Sequence, residues 1–358
     1  MSQIELKSLR KVFGQNIEAV KNLDLVIQEG EFIVLVGPSG CGKTTTLRMI
    51  AGFEEPTAGE VIIDDVIVND LDPKDRNLGM VFQSHALFPH KTVFENIEFG
   101  PRMKKMPLDK RKKRVEEVAE MVHITPLLNK LPSQCSGGEA QRVALARTLI
   151  TEPGSFLLDE PLSSLDAKLR REMRAEIDRL HQELKKTFVY VTHDQEEAMT
   201  LADRIVVMRA GEIEQQGTPM EIYGDPSSYF VADFFGSPSM NLIDGQISRN
   251  SSQESFVFEG CGLSLDLPQL EGLREGSHCI GVRPESINVS DSDSDIKLSV
   301  TLVEPMGKDT LLYFAHDSDR HLIAVVEGST KIQSGDLVAV QFPKDRLYVF
   351  DSDGARVR

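Results

Sequence analysis

Between residues 31 and 240, short apolar runs alternate with longer stretches in which apolar residues recur every three or four positions. The short runs, at 32–36, 78–82, 156–158, 189–191 and 205–208, are rich in β-branched, leucine and aromatic residues and predict strands. Their nearly unbroken apolarity fits strands buried on both faces of a largely parallel sheet, with helices packed between them. Leu165, Leu169, Met173, Ile177, Leu180 and Leu184 form one stripe at steps of four, four, four, three and four, which predicts a long helix. Residues 3–7 and 60–68 alternate polar and apolar and predict strands of a smaller antiparallel sheet. Residues 84–152 read as a mostly helical insertion, with helices expected at 109–123 and 137–150.

After residue 241 the texture changes. Short alternating runs, turn pairs and Ser/Asp-rich breaks, such as Asn250-Ser251-Ser252 and the run from Ser290 to Asp295, replace the helical patterns. This predicts an all-β, OB-like domain over residues 241–358, following an α/β domain over 1–240. The Ser/Asp run lacks the glycine and distal glutamate of a calcium loop, so a polar surface turn is expected.

At 358 residues the chain exceeds the size at which single cores stop growing, which agrees with two domains. With 40 Lys plus Arg against 56 Asp plus Glu, the net charge is -16. Up to residue 240 there are 29 basic and 37 acidic residues, and beyond it 11 and 19, so each part carries -8. Neither part has the basic balance of a nucleic-acid-coating protein. The run Lys110-Arg111-Lys112-Lys113-Arg114 opens a helix that continues with Glu116, Glu117 and Glu120, and is expected to be a solvated face. No span approaches the roughly 18 unbroken apolar residues of a membrane helix, and residues 1–10 lack a signal-peptide pattern, so the cytoplasm is expected. Cys41, Cys135, Cys261 and Cys279 show no metal-ligand or disulfide spacing.

Chemistry enters with Gly37-Pro38-Ser39-Gly40-Cys41-Gly42-Lys43-Thr44-Thr45, a complete phosphate-binding loop between an apolar strand and a helix-forming run. Its backbone N–H groups can cradle phosphate oxygens, Lys43 can reach the terminal phosphates and Thr44 can offer a hydroxyl to Mg2+. This is the α/β P-loop NTPase fold class, with ATP among the candidate substrates. Phe156-Leu157-Leu158-Asp159-Glu160 would deliver Asp159 to a sheet edge as a magnesium carboxylate and Glu160 as a base for an attacking water.

Cys135-Ser136-Gly137-Gly138-Glu139-Ala140-Gln141-Arg142-Val143-Ala144-Leu145-Ala146-Arg147 resembles the signature of ABC ATPases, with Cys135 in place of Leu and Glu139 in place of Gln. The resemblance implies that Ser136, Gly137 and Gly138 contact ATP held by a second copy, in a head-to-tail homodimer with two sandwiched nucleotides. It further implies that Gln83 senses Mg2+ and the attacking water, that Ser163, Ser164 and Asp166 belong to a loop crossing the dimer interface, that His193 contacts the γ-phosphate, and that Phe13 stacks on adenine. Glu139 adds a negative charge beside a phosphate-facing turn, which is expected to weaken closure unless the carboxylate points away or meets a cation.

One cassette, no C-x-x-C pairs and no room for a coiled-coil insertion point to transport. The segment Gly236-Ser237-Pro238-Ser239-Met240-Asn241, with Gly281-Val282-Arg283-Pro284-Glu285 and residues 303–312, resembles importer ATPases carrying a C-terminal TOBE domain, especially the carbohydrate, maltose-type group. That implies an ATPase at the cytoplasmic face of the inner membrane, energising import of a sugar or sugar phosphate through separate permease subunits. An extracytoplasmic solute-binding protein would be an indirect partner. Polyamine or iron importers, and a soluble non-transport ABC switch, are the alternatives. Arg283 and Glu285 read as a surface salt pair beside a proline, with a role in dimer contact or regulation as the alternative, and a regulatory role is expected of the β-domain.

Overall fold

The apolar runs become strands of a single sheet. The computed structural model describes residues 2–14, 16–250, 255–267, 270–290, 296–315 and 321–358. Strands β1 (Ile4–Phe13), β2 (Ile17–Ile27), β3 (Phe32–Val36), β4 (Ala58–Ile63), β5 (Val66–Ile67), β6 (Leu78–Val81), β7 (Ser155–Asp159), β8 (Thr187–Thr192), β9 (Arg204–Arg209) and β10 (Glu212–Gly217) build two sheets. The larger runs β10-β9-β3-β8-β7-β6. Its β6, β7, β8, β3 and β9 are parallel neighbours, and β10 closes the edge antiparallel to β9. The five residues of β3, the six of β8 and the five of β7 are all buried, as near-continuous apolarity demands of strands covered on both faces.

The smaller sheet, β2-β1-β4-β5, is antiparallel and differs from the pattern in two places. The stretch at 60–68 is not one strand. Asp64 and Asp65 take φ of 50° and 63°, so the chain reverses in a two-residue turn and Ile63 pairs with Val66. Strand β2 escaped the pattern because Asn22, at φ 39°, breaks its alternation near a bulge where Leu9 faces Leu23.

Helix α1 (Lys43–Ala51) follows β3. Helices α2 (Val93–Ile97), α3 (Phe99–Met103), α4 (Leu108–Met121) and α5 (Gly137–Leu149) fill the insertion between β6 and β7. In α4, Val115, Val118 and Ala119 are buried, while Lys110, Lys112 and Lys113 face solvent. Arg111 pairs with Glu98 at 2.7 Å, and Arg114 pairs with Glu117 and Glu152. The basic run is thus a solvated, partly paired face. Helix α6 (Ala167–Leu184) buries Met173, Ile177 and Leu180 of the apolar stripe. Leu165 lies ahead of it, because Asp166 caps the first turn by accepting from the N–H groups of Lys168 and Leu169. Helix α7 (Gln195–Leu201) follows β8.

The chain divides into compact units Met1–Met220 and Glu221–Arg358, earlier than the 240/241 boundary expected from the sequence. Among the described residues the second unit has two antiparallel sheets around one apolar core, one of six strands from Asn241–Asn250 to Arg356–Val357 and one of five between Asn288–Ser290 and Leu337–Gln341. Residues 251–252 and 291–295 of the expected polar turns lie outside the described residues. The boundary moves because Arg283 is not a surface partner of Glu285. It is 3% exposed, its guanidinium stacks 4.0 Å from the Tyr223 ring centroid, and it donates to the carbonyls of Tyr223 at 2.8 Å, Ala232 at 3.3 Å and Phe235. Glu285 instead accepts from the Tyr223 hydroxyl at 2.5 Å. Those contacts bind residues 221–235, including the helix Tyr229–Phe234, to the β-rich unit. Replacing the guanidinium strands several buried carbonyls at once, so Arg283→Met is expected to cost about 2–4 kcal/mol, read as a lower urea midpoint by circular dichroism.

Candidate nucleotide site

Strand β3 ends in a loop whose shape depends on missing side chains. A Cβ on Gly37 would lie 2.2 Å from the Met208 carbonyl oxygen, and one on Gly42 would lie 2.4 Å from that of Ala19, with Gly42 at φ 108°. Only glycine fits either position. Lys43 is 4% exposed, and its ammonium curls back to donate to the carbonyls of Gly37 at 2.7 Å and Pro38 at 3.0 Å. Pro38, Ser39 and Gly40 stay exposed, whereas Cys41 is buried and packs in the core. Helices α5, α6 and α7 carry side-chain caps from Ser136, Asp166 and Asp194. Helix α1, capped by Gly42, has none, so its first N–H groups face the loop without a side-chain acceptor. This combination can hold an anion.

Next to it the parallel strands bring carboxylates. The Thr44 hydroxyl donates to Asp159 Oδ1 at 2.9 Å, joining the start of α1 to the end of β7. Burial pushes the Asp159 carboxyl up from its ordinary range, with Glu160 adding to the rise and Thr44, Arg48 and Lys43 opposing it. Glu160, at φ 43°, turns its carboxylate toward Gln83 and His193. Glu160 Oε2 lies 3.3 Å from Gln83 Nε2 and 3.3 Å from His193 Nδ1. Gln83 also donates to the Ser163 hydroxyl at 3.3 Å, and that hydroxyl donates to the Glu160 carbonyl at 3.0 Å. Residues 83, 159, 160, 163 and 193 thus meet at one sheet edge.

The other expected contacts do not join this cluster within one chain. Ser136, Gly137 and Gly138 open α5, and Cβ atoms added to the two glycines would come within 3.1 Å of Leu165, just ahead of α6, and 3.3 Å of Leu169 in its first turn. Ser164 and Asp166 sit exposed at the head of α6. Phe13 ends β1 with 37% exposure, and Lys11 Nζ stands 5.0 Å over its ring centroid. Thr45 is half-buried in the first turn of α1. Sequence reasoning passed over Arg147, which donates to the carbonyls of Ala86 at 2.6 Å and His85 at 3.4 Å. It thereby ties the loop after Gln83 to α5, and no spacing rule singles out such a side-chain-to-backbone contact.

The ABC transporter family model matches residues 20–163, the MalK OB fold domain model residues 236–287 and the TOBE domain model residues 280–350. The sn-glycerol-3-phosphate import ATP-binding protein UgpC of Psychromonas ingrahamii is 44% identical over 363 residues, covering 99% of this chain and 95% of that protein. The chain belongs to the ABC transporter family of import ATP-binding subunits. It is an ATPase coupled to transport. The alpha-glucoside transport ATP-binding protein AglK of Rhizobium meliloti is 44% identical over 362 residues, with 100% of each chain covered. The xylose/arabinose import ATP-binding protein XacJ of Haloferax volcanii is 45% identical over 367 residues, covering 99% of this chain and 94% of that one. A solved dimeric bacterial ABC transporter cassette, MJ0796, matches with TM-score 0.55 and 39% identity, over 60% of this chain and 98% of that chain.

The ABC ATPase accommodates Glu139 locally. Its carboxylate accepts from the Ser136 N–H at 2.7 Å, and its own N–H donates to the Ser136 hydroxyl at 3.3 Å, a reciprocal capping box. That hydrogen bond, first among its causes, holds the carboxyl below the usual range, with Lys130 and Arg142 adding to it. The charge points back at the helix start and not outward from it. Gln and Glu can both fill this capping position, so Glu139→Gln is expected to leave the melting temperature nearly unchanged. Glu139→Ala is expected to lower it by roughly 2–4 °C, the effect of a lost cap of ~1 kcal/mol, both read by scanning calorimetry.

Asp159 has the opposite sign. Its folded pKa is raised, so the ionised form destabilises the nucleotide-free fold above that pKa, and the cost vanishes below the ordinary carboxylate value near about 4. Asp159→Asn is expected to melt roughly 2–4 °C above the native protein at pH 8 without nucleotide, with the gap closing toward pH 4.

Proposed function

We propose that this ABC ATPase binds ATP at Gly37, Pro38, Ser39, Gly40, Cys41, Gly42, Lys43, Thr44 and Thr45, with adenine on Phe13. Ser136, Gly137 and Gly138 of a second copy complete the site, and the turn of Ser163, Ser164 and Asp166 meets that copy. Lys43 exchanges the loop carbonyls for β- and γ-phosphate oxygens, and the uncapped first turn of α1 receives the phosphate charge. Thr44, Gln83 and Asp159 would hold Mg2+, a fit supported by the 2.9 Å Thr44–Asp159 contact and by a buried carboxylate that ionises more easily beside a cation. The ion would supply charge neutralisation at the β- and γ-oxygens.

Glu160 accepts a proton from the attacking water, His193 donates toward the γ-phosphate, and Gln83 holds the water in line. The observation that carries this reading is the approach of Gln83 and His193 to one oxygen of Glu160, each at 3.3 Å, on the strand ends beside the phosphate loop. ATP-driven closure of two cassettes and its reversal after hydrolysis then drive separate membrane permease subunits between orientations. The solute is a sugar or sugar phosphate. Support comes from full-length identity of 44–45% to import subunits named for sn-glycerol-3-phosphate, xylose/arabinose and alpha-glucoside. Among the described residues no helix is long and apolar enough to cross a membrane. The subunit works through separate permease subunits from the cytoplasmic face, a reading supported by its identity to import ATP-binding subunits.

Glu160→Gln is expected to lower kcat at least about 100-fold while ATP binding persists and a trapped dimer appears in gel filtration. Native turnover by this variant would remove Glu160 from the mechanism. Purification of the importer from its native membrane, with ATP turnover measured against added sugars, sugar phosphates, polyamines and iron chelates, assigns the solute; stimulation by a polyamine or iron chelate alone would overturn the sugar reading.

A further inference from the structure

Arg170 sits on the first turn of α6 and faces two elements of the site at once. One guanidinium nitrogen, Nη1, donates to Asp194 Oδ2 at 3.0 Å, and the other, Nη2, donates to the Leu165 carbonyl at 3.2 Å. Leu165 belongs to the Ser163-Ser164-Leu165-Asp166 turn and carries the packing of Gly137. Asp194 directly follows His193. It is itself held on three sides, with Oδ1 accepting from the N–H groups of Glu196 at 2.8 Å and Glu197 at 3.3 Å, and its own N–H donating to Thr192 Oγ1 at 3.0 Å.

Beneath this lies a buried carboxylate. Glu197 is 2% exposed and accepts from the hydroxyls of Tyr190 at 2.9 Å and Thr192 at 2.6 Å, which anchors α7 to β8. Arg170 Nε is buried without a hydrogen-bond partner, 4.0 Å from Glu197 Oε1. That is about 1 Å beyond a hydrogen bond, so a small displacement of the turn changes how the guanidinium is shared. The Arg170–Asp194 pair is partly exposed, with side chains 32% and 20% accessible, and pairs of that kind contribute little to stability. Its geometric effect is larger, because a planar fork with separate donors fixes a carbonyl and a carboxylate relative to one another, as a lysine cannot.

We propose that Arg170 is a positioning residue that ties the Ser163–Asp166 turn to Asp194 and thereby sets where His193 stands against Glu160. Displacement of that turn as two cassettes close is passed to the switch histidine through one side chain. This rests on the catalytic reading of Glu160 and His193 given above.

The test uses the full chain with Arg170→Met, Arg170→Lys, Asp194→Asn and the Arg170→Met/Asp194→Asn double variant, with Glu160→Gln as the control for that reading. Arg170→Met is expected to lower kcat about tenfold or more, with KM for ATP within twofold and a melting temperature within a few degrees of native. Arg170→Lys is expected to recover only part of the rate, and the double variant to be no slower than the slower single one. Native turnover by Arg170→Met, strictly additive losses, or a rate loss that tracks a rise in KM and a fall in melting temperature would each overturn the proposal. If Glu160→Gln turns over normally, the catalytic reading fails; if it is inactive and Arg170→Met is not impaired, only the role of Arg170 fails.

Discussion

The site depends on the register of four parallel strands. Val36 of β3 lies opposite Thr192 of β8, Val191 of β8 opposite Asp159 of β7, and Leu158 of β7 opposite Val81 of β6. The carboxyl ends of these strands therefore finish nearly level, and the residues just beyond them, Gly37, His193, Glu160 and Gln83, emerge at one edge. A slip of one residue in any pair would send each side chain to the opposite packed face of the sheet and displace the terminal polar group. Continuous burial of β3, β7 and β8 makes such a slip costly, so apolar packing sets the position of the polar chemistry.

That edge gathers charge against the trend of the whole chain. A net charge of -16 offers phosphate no favourable field at long range, and Asp159 and Glu160 add two more acids close by. The compensation is local. Lys43 is buried against the loop carbonyls, α1 begins without a side-chain cap, and Thr44 shares Asp159. In the signature turn the extra acid is accommodated differently, because Glu139 closes a capping box with Ser136 and turns its charge back onto the helix start. Two similar small-residue turns before helices thus end with different electrostatics, one open at its N-terminus and one capped.

Much of this was legible in the chain. The strands of the large sheet follow from runs of apolar residues too short for helices, and the phosphate loop from glycine spacing before Lys43-Thr44. Motif order led to Gln83, Glu160 and His193, which the fold brings within 3.3 Å contacts. Less legible were features that local pattern does not encode. Residues 60–68 alternate like one strand but reverse at Asp64–Asp65, because two left-handed residues suit a tight hairpin better than continuation. Arg283 looked like a surface ion and is a buried clamp for the segment before the β-domain, since its carbonyl partners lie 48 to 60 positions away.

The sequence by itself determined the class of chemistry. The glycines at 37 and 42, the Lys-Thr pair and the Asp-Glu pair after an apolar strand have residue types that only a phosphate site requires together, and the apolar periodicities dictated the layers that carry them. Tertiary structure alone decided which of these side chains touch, where the second unit begins, and that Glu139 and Arg170 serve geometry more than charge. The reason is physical: periodicity and composition record what each residue must bury, a property of the local chain, whereas hydrogen bonds between residues 77, 115 or 24 positions apart exist only once packing has fixed the distance between their backbones.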